Sequence, residues 1–225
     1  MRLLCLGYFC AVCVRCLFLC GVLLAGVGAH AEDQRRDKQA PPDPFQGFQV
    51  DMSQLNEPQQ QFMAKVLVEQ IELIKNNKLP PIWLAFMKTI PIVVEPGLPA
   101  GNPPVLFTVK SATGRGVIMA SLIPVPTDKP VLMHEMLHAY DWNYWRFGKQ
   151  QVLAAYEQAV KQSLYPQWRN TQFLSDAKEF FAVTGTVYVT GSIKQAPFDC
   201  ENLSQLQPEY VNFLALIFGR RAYCH

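Results

Sequence analysis

Apolar residues recur every three to five places between Glu57 and Asn76, at Phe62, Val66, Ile71 and Ile74. That spacing keeps them on one helical face, and Lys78-Leu79-Pro80-Pro81 ends the run. Residues 82–104 stay apolar but are cut by Pro91, Pro96, Pro99, Pro103 and Pro104, which predicts short strands and turns. Residues 105–109 and 117–123 are β-prone runs flanking Ser111-Ala112-Thr113-Gly114-Arg115-Gly116, the pattern of a hairpin with a long loop. Gly114-Arg115-Gly116 is not a phosphate loop, because it lacks the further glycines, the lysine and the following helix.

The second half reads as helical. One helix is expected over 130–146, with Asp128 as its cap and Pro130 in the first turn, where a missing N–H costs least. Another covers 149–163. Asp176 and Glu179 have capping-box spacing at the head of a third, whose β-branched far end, 184–191, reads equally as a strand. A last helix over 208–218 stops at Gly219. The pattern is that of an α+β fold, mainly helical with a small sheet.

The beginning of the chain belongs to a different class of segment. Residues 3–29 are almost entirely apolar, broken by Arg15, and run through Ala29-His30-Ala31 into the polar stretch 32–38. This is the form of a secretory signal peptide over residues 1–31, cleaved after Ala31. An uncleaved anchor is the alternative, since about 27 residues can span a bilayer, and only then would the protein meet a membrane. Lipidation at Cys20 is disfavoured by the lack of a small residue before it. Export predicts a secreted or extracytoplasmic protein of the periplasm or cell envelope. Polar, proline-rich residues 32–61 read as a tether, and 62–225 as the functional domain.

Composition narrows this further. The 20 Lys and Arg and 18 Asp and Glu include only Arg2 and Arg15 within residues 1–31, so the remainder balances and nucleic acid is not an expected partner. Five of seven cysteines fall in the leader, leaving Cys200 and Cys224. In an exported chain that pair suggests a disulfide; reduced thiols and metal binding are the other options.

The chemistry-bearing segment is His134-Glu135-Met136-Leu137-His138, inside an otherwise apolar helix. Histidines four apart share a helical face and can converge on one Zn²⁺, with Glu135 beside them in reach of a water. Zinc in such a site polarises the scissile carbonyl and activates the water, while the carboxylate moves the proton. Buried histidines and a glutamate also need partners or a metal to offset desolvation. A third protein ligand is required. His225 is terminal, and Asp141 lies three residues after His138 on the same helix, better placed to orient His138 than to bind. Glu179, heading the later helix and followed by Phe180-Phe181-Ala182, is the strongest candidate.

Together, residues 132–141 and the later Asp176-Ala177-Lys178-Glu179-Phe180-Phe181-Ala182 resemble the catalytic domain of anthrax lethal factor and its relatives, within the gluzincin zinc metallopeptidases. The resemblance implies His134, His138 and Glu179 as zinc ligands and Glu135 as general base. It also implies a peptide or protein substrate lying extended along a sheet edge beside the motif helix, an edge expected from residues 117–123. Where relatives carry a tyrosine two turns before the third ligand, this chain has Gln172, so Tyr165, Tyr188 and Tyr210 are open candidates for stabilising an oxyanion. An acid common after Phe-Phe-Ala is replaced by Val183 and Thr184. The aromatic group Tyr140, Trp142, Tyr144, Trp145 and Phe147 reads as packing for the end of the motif helix, with a substrate groove as the other reading. The expected function is a secreted zinc endopeptidase; the alternatives are a non-catalytic or inhibitory binding protein on the same fold, and a structural envelope protein.

Overall fold

The computed structural model describes residues 43–97, 103, 105–109, 114–126, 129–193 and 199–224. The leader, the first part of the tether, Asp128 and His225 lie outside them.

Helix α1 (Glu57–Asn76) starts from a capping box: Asn56 Oδ1 accepts the Gln59 N–H at 3.1 Å, and Gln59 Oε1 accepts the Asn56 N–H at 3.0 Å. It buries Met63, Val66, Leu67, Ile71 and Ile74, whereas Phe62 is largely exposed. The expected tether does not extend to residue 61. Asp43 accepts the N–H groups of Phe45 and Gly47, and Phe48 and Leu55 are buried in the core. Pro58 sits in the first turn of α1, where a missing N–H costs least, and the apolar residues of this stretch find a place to bury.

Pro80 and Pro81 close one helix and open the next. Helix α2 (Pro81–Met87) has Pro81 in its first turn and buries Trp83, Phe86 and Met87, so this part of the expected strand-and-turn region is helical. The sheet comprises β1 (Val50–Asp51), β2 (Ile92–Glu95), β3 (Val105–Thr108) and β4 (Val117–Ser121), in the order β1-β2-β4-β3. β1 and β4 run parallel to β2, and β3 pairs antiparallel with β4, the expected hairpin. At its return Gly116 has φ +87°, and a Cβ there would run into the Phe107 ring, so glycine is required on both counts.

The expected motif helix is α3 (Val131–Trp145), followed by α4 (Gln150–Lys161), α5 (Ala177–Thr190), α6 (Cys200–Leu206) and α7 (Pro208–Phe218). The β-branched end of α5 is helix, not strand. Thr184, Thr186 and Thr190 donate their hydroxyls to the carbonyls of Phe180, Ala182 and Thr186, which satisfies polar groups on a largely buried helix. α3 packs on α5, α1 and β3. Gly185 permits the close approach to α5, since a Cβ there would stand 3.0 Å from Leu137 Cδ1.

Of the aromatic group, Tyr140 and Trp145 pack against the core, whereas Tyr144 is exposed. Tyr140 stacks on Trp83 at 3.9 Å, and Trp145 meets Phe181 and Phe213. Cys200 and Cys224 form a disulfide, with Cα atoms 5.0 Å apart, joining the start of α6 to the chain after α7. The fold is thus mainly helical α+β, with a four-stranded sheet beside the helical core.

Candidate metal centre

Helix α3 has no side-chain cap of its own at Pro130. Gln70, buried on α1, supplies the contact instead. Its Oε1 accepts the Leu132 N–H at 3.2 Å, and its Nε2 donates to the Lys129 carbonyl at 2.9 Å. One amide satisfies a free first-turn donor and fixes the loop leading into the helix. Nothing in the spacing of α1 marked Gln70 out; the signal was only an uncharged polar residue on an apolar face.

Successive turns of α3 and the first turn of α5 then bring the candidate ligands together. The Nε2 atoms of His134 and His138 are 3.1 Å apart, Glu179 Oε2 lies 3.4 Å from His134 Nε2, and Glu179 Oε1 lies 3.3 Å from His138 Nε2. Glu179 occupies the third position of α5. Asp176 caps that helix by accepting the N–H groups of Lys178 and Glu179, both at 3.0 Å, while the Glu179 carboxylate turns to the histidines.

Ligand atoms about 2.0–2.1 Å from a common tetrahedral centre stand about 3.3 Å apart, so these spacings and the two-imidazole, one-carboxylate set fit zinc. Electrostatics fit as well. Burial raises the Glu179 carboxyl, but its contacts with His134 and His138 pull it well below the usual carboxylate range. Burial lowers the His134 imidazole, and Glu179 and Glu135 more than reverse this, so its pKa lies above the ordinary value. A carboxylate held in its charged form against two imidazoles is an arrangement capable of holding a cation.

Glu135 is 7% exposed, and its Oε2 accepts the Phe107 N–H at 2.6 Å. Burial lifts its pKa, opposed by the two histidines and by Phe107, with a net upward shift. This contact also identifies the sheet edge beside the site as β3. The expectation that residues 117–123 supply that edge is corrected: β4 lies between β2 and β3, paired on both sides.

Asp141 does not orient His138. Among the described residues, His138 Nδ1 and Asp141 Oδ1 are both buried without a hydrogen-bond partner, and Asp141 instead accepts the Phe147 N–H at the end of α3. The three candidate tyrosines are also committed elsewhere. The Tyr165 hydroxyl donates to Gln207 Oε1 and that of Tyr188 to the Gly219 carbonyl, while that of Tyr210 pairs with Thr184. Gln172 is the residue that reaches the site, donating from Nε2 to Glu179 Oε2 at 3.1 Å.

His134, Glu135 and Glu179 line a cleft of about 410 Å³ whose walls include Val105, Pro126, Pro130, Trp168, Phe173 and Ile193. No family model, no curated protein and no solved structure matches the chain. His134, His138 and Glu179 form a potential metal-binding triad. The triad is consistent with a broad zinc-metallopeptidase-like arrangement and does not specify a family within it.

Proposed function

We propose that the protein is a zinc-dependent endopeptidase acting outside the cytoplasm on peptide or protein substrates. The observation that carries this reading is the convergence of His134, His138 and Glu179 at ligand spacing, with the Glu135 carboxylate alongside in an apolar-walled cleft. The resemblance of the two motif segments to the lethal factor-like gluzincins supports it. The zinc such a site takes supplies Lewis-acid polarisation of the scissile carbonyl and a lowered pKa for the attacking water.

The remaining work falls to the chain's own residues. Glu135 takes the water's proton and delivers it to the leaving amine. Burial raises its pKa above the ordinary carboxyl value, which strengthens it as a base. The Phe107 N–H holds one carboxylate oxygen and leaves the other for the water. The apolar walls exclude bulk water and take up apolar substrate side chains. Substrate lies extended beside β3, an edge strand of the sheet. The leader over residues 1–31 directs the chain to the periplasm, cell envelope or medium, and the working domain includes Phe48, Leu55 and β1 as well as 62–225.

A second reading, a binding or inhibitory protein on the same scaffold, is favoured by the commitment of Tyr165, Tyr188 and Tyr210 to contacts away from the cleft. Glu135→Gln separates the two. In an endopeptidase it keeps its zinc and loses about 10²-fold or more in turnover of a peptide library; a binding protein shows no turnover in either form.

A further inference from the structure

We propose that Gln172 is a positioning residue for the metal centre, its side-chain amide holding the Glu179 carboxylate in the orientation that faces both histidines. The inference rests on the metal-site reading above and extends it to a residue outside the ligand set.

Glu179 has a competing place to go. At the third position of a helix capped by Asp176, a glutamate ordinarily folds back onto the capping residue's own N–H and closes the box. Here only half of that box forms, and the carboxylate points away from it, toward His134 and His138. Gln172 Nε2 donates to Glu179 Oε2, the oxygen that faces His134. That bond restrains the carboxylate across seven residues of chain.

The restraint is effective because the anchor is itself fixed. The Gln172 carbonyl accepts the Ser175 N–H at 3.0 Å and the Ser175 hydroxyl at 2.7 Å. The adjoining Phe173 is buried between Tyr165 and Phe180, with ring centroids 5.2 and 5.4 Å away. A neutral amide also suits the task chemically: it donates to the carboxylate without adding a positive charge that would compete with a metal ion for it. Hydrogen-bond partners of metal ligands characteristically change metal affinity by about 10–100-fold.

The test is a zinc titration of the full chain against a chromophoric chelator, comparing the natural protein with Gln172→Met, which keeps the length without the donor, and Gln172→Ala. The cobalt(II) spectrum and the unfolding temperature of the metal-free form are read in parallel. The expected result is zinc affinity weakened about tenfold or more in both variants, an altered cobalt spectrum and unchanged metal-free stability, since Gln172 is an exposed side chain. Natural affinity and an unchanged cobalt spectrum in both variants would overturn the positioning role while leaving the metal centre standing. Affinity lost only in step with metal-free stability would assign Gln172 to packing and overturn it too. No zinc uptake by the natural chain would overturn this inference and the metalloenzyme reading together.

Discussion

Asp141 is a carboxyl almost wholly removed from water, 2% exposed, which accepts the Phe147 N–H while its Oδ1 has no partner among the described residues. Burial pushes its pKa from 3.8 up to about 7, only partly opposed by that hydrogen bond. The folded chain therefore holds this proton more tightly than the unfolded chain, and stability falls as pH rises from about 4 to about 7, with the full cost present above that window. Asp141→Asn keeps an acceptor for Phe147 and has no charge to bury. Its stability relative to the natural chain should improve between pH 4 and pH 8 in urea unfolding; an equal difference at both values would mean that Asp141 does not titrate as described. Glu135 is also buried but differs in having Phe107 and two imidazoles to face.

Among the elements, α3 depends on α1 for its start. Gln70 is 3% exposed and is the side chain that meets the Leu132 N–H. Gln70→Leu leaves that donor without its partner in the interior, while the Lys129 carbonyl keeps the Val131 N–H, at a cost of about 1–3 kcal/mol. Because the helix end carries His134, zinc affinity should fall along with the urea midpoint; an unchanged midpoint would remove Gln70 from the account. This contact illustrates where the sequence was opaque. Period and capping chemistry made α1, α3, α5 and α7 legible, because their apolar stripes, prolines and the Asp176 cap act within a few residues. The start of α3 is not legible locally, because the side chain that meets the Leu132 N–H comes from far away in the chain. Likewise the sheet edge beside the site follows from strand order, which no local pattern in residues 105–123 encodes. The candidate cluster was legible because two histidines four apart and a glutamate at a helix start are local signals, and α3 on α5 brings them together.

At the scale of the whole molecule, the chain's end is tied back by Cys200–Cys224 across 24 residues of sequence. The closed segment includes α6 and α7, the latter burying Tyr210, Val211, Leu214 and Phe218 against the α5 side of the core. A bridge over such a loop contributes about 2–4 kcal/mol, largely by restricting the unfolded chain. Reduction, or Cys200→Ser with Cys224→Ser, should lower the unfolding temperature while leaving zinc binding intact in the folded protein. Loss of zinc at temperatures where the reduced protein is still folded would show that the tie also shapes the metal centre. The cleft is built mainly by α3, α5, β3, the residues leading into α3 and the short turns before α5.

The claim on which the rest depends is that His134, His138 and Glu179 hold one metal ion. Elemental analysis of the purified full chain beside Glu179→Ala tests it most directly. The account predicts about one zinc per natural chain and a sharp fall in the variant, whose two remaining imidazoles are one protein ligand short of a catalytic site. A natural chain that takes up no zinc even after supplementation, or a variant that retains it fully, would contradict the account.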